Sequence, residues 1–99
     1  MKRRLVLDPL VPQEIREAKS WYNKQRKGLG SRLYANIKQS LLEIRSHPEL
    51  HGFLEADVRV ALVPGFPFAI YYQAFSDRVN VVAVIHSSRD PDIWKSRLS

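Results

Sequence analysis

His86, Tyr71, Arg59 and Arg89 are the residue types that cut a phosphodiester. One group must take the proton of the 2′-hydroxyl, one must protonate the leaving oxygen, and cations must stabilise the crowded phosphorane-like state. Whether they meet depends on strand parity. Alternation along a strand predicts that Arg59, Tyr71, Gln73, Asn80 and His86 share one face, with Arg89 just past the last strand. The opposing observation is the apolar company they keep, since residues 68–75 are apolar on both parities and Val82 and Val84 alternate in step with His86. A wet catalytic face would be more polar.

Other chemistries fare worse. His47 and His51 are four apart, but Pro48 ends the helix between them and no shared metal-binding face results. Ser87 and Ser88 follow His86, yet neighbours on an extended strand point oppositely and no acid is placed to orient the imidazole, so a triad is not expected. Gly28-Leu29-Gly30 lacks the preceding strand of a phosphate-binding loop and reads as a helix turn. With no cysteine there are no disulfides and no thiolate sites, which agrees with a reducing cytoplasm. Neither a metal nor a cofactor is expected.

The elements that must position these residues read in order. Residues 3–7 are a short β-like run closed by Asp8-Pro9. A helix is predicted over 12–26, with Pro12 in its first turn and Ile15, Ala18 and Tyr22 on one face. Trp21 lies about 60° around from Ala18. It borders that stripe and is assigned to core packing, or, if exposed, to contact with a partner. A second helix over 30–47 carries the stripe Leu33, Ile37, Leu41 and Ile44 and stops at Pro48. After a loop over 47–55 the period changes to two, and strands are predicted over 58–63, 68–75 and 79–86, joined by turns at Gly65 and Ser76-Asp77. The connections are too short for crossovers, so the three strands form an antiparallel meander, with 3–7 pairing alongside and the helical hairpin on one face. The fold class is α+β, in one domain over 1–99.

Charge narrows the partners. The chain has 16 Lys and Arg against 10 Asp and Glu, a formal +6. Eleven of the cations and five of the acids precede residue 50, so the excess sits on the helices and favours an acidic partner. Asp8 and Pro9 interrupt the opening Met1-Lys2-Arg3-Arg4-Leu5 before a signal-peptide core develops, and no membrane span is predicted.

Six motifs in this order resemble the RelE/ParE toxins of bacterial type II toxin-antitoxin systems. They are Trp21-Tyr22, Gly28-Leu29-Gly30, His47-Pro48, Val58-Arg59, Phe66-Pro67-Phe68-Ala69-Ile70-Tyr71-Tyr72, and His86-Ser87-Ser88-Arg89-Asp90-Pro91 followed by Trp94. The resemblance implies a growth inhibitor neutralised by a cognate antitoxin, with operator DNA reached through that antitoxin. ParE-like members poison DNA gyrase, and RelE-like members cut messenger RNA in the ribosomal A site. The nucleases usually carry lysines or arginines on the open sheet face and an aromatic hydroxyl near the C-terminus. Here Trp94 stands at that place, and an indole exchanges no proton near neutrality. Gyrase inhibition is therefore the expectation over mRNA cleavage, with a non-toxic binding role in an antitoxin–DNA complex as the third reading. Should cleavage occur, His86, Arg59, Arg89 and Tyr71 would carry it. Trp21, Arg89 and Trp94 are the expected contacts with target or antitoxin, and Arg89-Asp90-Pro91 reads as a turn held by an ion pair or an Asx-type bond.

Overall fold

The computed structural model describes residues 3–55, 57–90 and 92–98. Strand β1 (Arg4–Leu7) leads through an Asp8-Pro9 turn, in which Asp8 Oδ1 accepts from the Leu10 N–H at 3.0 Å, into helix α1 (Val11–Gln25). Helix α2 (Leu29–Ser46) runs back along it. A 3-10 turn (Pro48–Leu50) then precedes β2 (Phe53–Glu55), β3 (Val58–Leu62), β4 (Phe68–Ala74), β5 (Arg78–His86) and a single-turn helix α3 (Asp92–Lys95). No helix among the described residues is long and apolar enough to cross a membrane.

Both glycines of the helix junction have a physical reason. Gly28 sits at φ 84°, in the left-handed region that side chains disfavour. Gly30 lies where the helices cross, and a Cβ there would stand 1.9 Å from the Lys19 carbonyl oxygen. Asn23 completes the junction. Its Oδ1 accepts from the N–H groups of Gly30 (2.7 Å) and Ser31 (3.2 Å), satisfying donors that the first turn of α2 leaves free.

The sheet order is β1-β5-β4-β3-β2. β1 pairs in parallel with β5, and the other pairs are antiparallel. The predicted meander is present, extended at its edge by β2, which falls inside the stretch expected to be loop. The helical hairpin covers one face, where Val11, Ile15 and Ala18 of α1 and Leu33, Ile37, Leu41 and Ile44 of α2 pack on Ala61, Ile70, Tyr72, Val79, Val81 and Val84. Burial of each of the larger of these side chains contributes about 1.5–3 kcal/mol. The far face has a second, smaller core of Val58, Ala69, Tyr71, Val82, Ala83, Ile85 and Trp94.

Simple alternation fails on β5. Tyr71 pairs with Ala83 and Tyr72 with Val81, which leaves Val82 as an extra residue. A bulge of this kind reverses the parity of everything beyond it. Val82 and Ala83 both join the far core, and Val84 returns to the helix side.

Candidate functional site

The bulge relocates His86. It pairs with Phe68 and stands on the helix side of the sheet, with the two rings 5.6 Å apart. Tyr71, Gln73 and Asn80 keep the far-face position expected of them. Arg59 does not, because it shares parity with Ala61 on the helix side. Its Nη1 donates to the His51 carbonyl at 2.6 Å, and its guanidinium lies 3.8 Å from the centroid of the Phe53 ring. The five residues predicted to share a face are thus divided between two, and two of them lie on the side opposite to the prediction.

Tyr71 and Trp94 form a stacked pair at 5.5 Å and 15°. Trp94 is 1% exposed, so the residue expected at a partner surface instead fills the far core beneath α3. Burial raises the Tyr71 phenol above its ordinary range. Trp21 differs in the other direction, being 55% exposed rather than packed in the core.

What the fold does assemble is a groove of about 410 Å³ between α1 and the ends of β4 and β5. Ala18, Trp21, Tyr22, Phe68, His86 and Arg89 line it, and Glu14 and Glu17 border its continuation along α1. Tyr22 is the hub of its wall, edge-on to Trp21 at 4.9 Å, to Phe66 at 5.4 Å and to Phe68 at 6.0 Å. Such edge-to-face contacts fix ring planes, so the wall is preformed.

His86 and Arg89 are delivered by one turn, closed by the Arg89 N–H donating to the His86 carbonyl at 3.0 Å. Within it Ser88 reaches back to the imidazole, which strand alternation had not suggested. Its backbone N–H donates to His86 Nδ1 at 3.1 Å, and its Oγ lies 2.7 Å from the same atom. A backbone donor makes Nδ1 an acceptor, so the neutral ring carries its proton on Nε2. The basic nitrogen is already engaged, and among the described residues no carboxylate bonds the other. The run His86-Ser87-Ser88-Arg89 was the signal available in the sequence, but its turn geometry was not. In the next turn Asp90 Oδ1 accepts from the Asp92 N–H at 2.9 Å, the Asx-type bond expected there, while Pro91 lies outside the described residues. No three His, Cys, Asp or Glu side chains among the described residues gather as a metal site.

A further constellation joins residues far apart in sequence. β1 ends opposite Val81, so among the described residues no strand flanks the rest of β5 on that side. Glu14 Oε1 accepts from the Val84 N–H at 3.1 Å, and Arg97 donates to the Val82 carbonyl at 3.1 Å. The two side chains also bond each other twice, at 3.0 and 2.8 Å. The hydrogen bond to Glu14 raises the Arg97 pKa further above its ordinary value. Charged side chains here do for the exposed edge what β1 does for the first half of the strand.

Solved structures share this architecture. A chain of the chromosomal ParDE TA system from P. aeruginosa superposes with a TM-score of 0.75 at 8% identity, over 86% of this chain and 96% of that one. A mutant of the E. coli toxin RelE in the free state gives 0.70 at 19% identity, over 96% and 93%. The chain has the RelE/ParE fold. No family model and no curated protein matches the sequence. In terms of this fold, the helical hairpin and the ends of β4 and β5 frame the groove, while α3 closes the far face of the sheet.

Proposed function

We propose that this protein is the toxin of a type II toxin-antitoxin pair, neutralised in the cytoplasm by a co-encoded antitoxin, and that it acts by binding DNA gyrase rather than by cutting RNA. The likeness in fold to the ParDE and RelE structures supports the toxin reading. One observation carries the choice of mechanism. The groups with which such a protein would cleave RNA are dispersed: Tyr71 lies under Trp94 on the far face, Arg59 is bonded to the His51 carbonyl, and only His86 and Arg89 share a groove. General acid–base catalysis requires its groups within about 3 Å of the atoms that exchange protons. The far face, where the cations of a nuclease would be sought, is filled by Val58, Val82, Ala83 and Ile85 beneath Trp94. The groove itself suits docking, with an aromatic wall and Arg89 at its rim.

The test is a pair of assays on the purified protein. Supercoiling by gyrase should be inhibited, ribosome-bound message should stay intact by primer extension, and Arg89→Ala should weaken inhibition more than His86→Ala. Discrete codon-positioned cuts that vanish in His86→Ala would install the nuclease reading instead. In cells, strong expression alone should arrest growth and co-expression of the antitoxin should restore it. Full viability with soluble protein would favour the non-toxic binding role.

A further inference from the structure

The surface opposite the groove carries a cluster of cations. Arg16, Lys19, Ser20, Asn23 and Lys24 line a depression of about 500 Å³ on the outer side of α1, all of them polar and three of them cationic. Lys27 follows in the turn after α1, and helical spacing places Lys38 one turn beyond Tyr34 on the adjoining face of α2. Among the described residues none of these cations pairs with a carboxylate; the ion pairs present involve His47, Arg78, Lys95 and Arg97. Arg16, Lys19, Lys24, Lys27 and Lys38 are five of the eleven cations that precede residue 50.

We infer that the outer face of the α1–α2 hairpin binds the phosphate backbone of double-stranded DNA, independently of the groove. Three observations select this occupant. An acidic protein helix would need a pocket between apolar side chains to seat its anchors, and no apolar residue lines this depression, whose hydrocarbon surface belongs to the Arg and Lys stems. A single strand is held by stacking its bases on successive aromatic rings, whereas the depression is lined by none and the adjoining Tyr34 has one face taken by the Lys19 ammonium at 5.0 Å. A rigid hairpin, locked at Gly30 and Asn23, presents fixed cations to a regular lattice of phosphates. From Arg16 to Lys24 the helix rises about 12 Å, a length over which duplex DNA carries on the order of seven charges. The Asn23 amide and the Ser20 hydroxyl add neutral donors between the cations.

The experiment is fluorescence anisotropy with the full chain and a 20-base-pair duplex of arbitrary sequence, titrated across roughly 50–200 mM salt. Log affinity should fall with log salt at a slope of about −3 to −4, as for some four phosphate contacts. Arg16→Gln combined with Lys19→Gln should reduce that slope by about 1.8 and weaken binding on the order of 100-fold at 0.1 M salt. Arg78→Gln, at the other end of the molecule, should change neither, and circular dichroism establishes that each variant is folded. Three results would overturn the assignment: no duplex binding at the lowest salt, a double variant with the wild-type slope, or a single-stranded oligonucleotide, duplex RNA or polyglutamate bound as tightly as the DNA. Because the assay contains neither gyrase nor ribosome, its failure leaves the toxin reading untouched.

Discussion

Tyr72 is where the sheet meets the 3-10 turn that follows α2. Its ring is fully buried in the main core, and its hydroxyl donates to the Pro48 carbonyl at 2.6 Å. Burial pushes the phenol up to about 12, against the lowering influence of the Arg59 cation. The folded state therefore keeps a proton that the unfolded chain loses near pH 10. The stabilisation is fully present below pH 10 and is lost as pH rises through 12, a change of about 2–3 kcal/mol. Tyr72→Phe should cost about 1–2 kcal/mol at pH 8 by urea titration and flatten the alkaline decline, with Tyr71 supplying the remainder. An equally steep decline in the variant would mean that other groups govern it. The two tryptophans illustrate how little a single position reveals. Trp21 borders an apolar stripe but stands just outside its helix's buried arc, whereas Trp94 belongs to a helix of four residues that has no periodicity to read. Under the proposed toxin role, Trp21→Ala should leave stability within about 0.5 kcal/mol and weaken binding of the antitoxin by about 2 kcal/mol or more, measured calorimetrically, as for an exposed aromatic anchor.

Among the elements, those with long periodic patterns were legible and those defined by pairing were not. The stripe Leu33, Ile37, Leu41 and Ile44 is buried as its spacing predicts, and Pro48 ends the helix it should end. β2 was missed because Phe53, Leu54 and Glu55 are too few to show alternation, and all three are exposed. The bulge at Val82 was missed because one extra valine in a run of valines leaves no compositional trace, yet it decides which face His86 occupies. Leu41→Ala should destabilise by about 2–5 kcal/mol through the cavity it leaves. Gly30→Ala should cost at least as much, because the new Cβ meets backbone and the helices must separate. Gly28→Ala, which meets nothing within 4 Å, should cost only the 1–2 kcal/mol or so of a left-handed side chain. Equal losses at the two glycines, by denaturant titration, would show that backbone conformation and not helix contact sets the junction.

At the scale of the whole molecule, the Glu14–Arg97 pair ties the C-terminal segment to α1 across the unpaired half of β5. Arg97 side-chain exposure is 12% and that of Glu14 is 16%, so the pair is largely shielded from solvent, in contrast to Arg78–Asp77 at 37% and 61%. Coulombic attraction is worth more in such surroundings, and the loss of one partner leaves the other poorly solvated. Arg97→Ala should therefore destabilise by about 1.5–3 kcal/mol, whereas Arg78→Ala should cost less than about 1 kcal/mol. A second readout follows the clamp itself. Arg97 lies three residues beyond Trp94, so releasing it should loosen the cover on the Tyr71–Trp94 stack. In a Trp21→Phe background, acrylamide should quench the remaining tryptophan weakly in the otherwise unaltered chain and strongly once Arg97→Ala is added. If stability falls while quenching stays weak, the pair only seals the strand edge and α3 is held by its own packing. If Arg97→Ala costs no more than Arg78→Ala, water serves the Val82 carbonyl and Val84 N–H as well as the side chains do, and the ion pair is not what terminates the sheet.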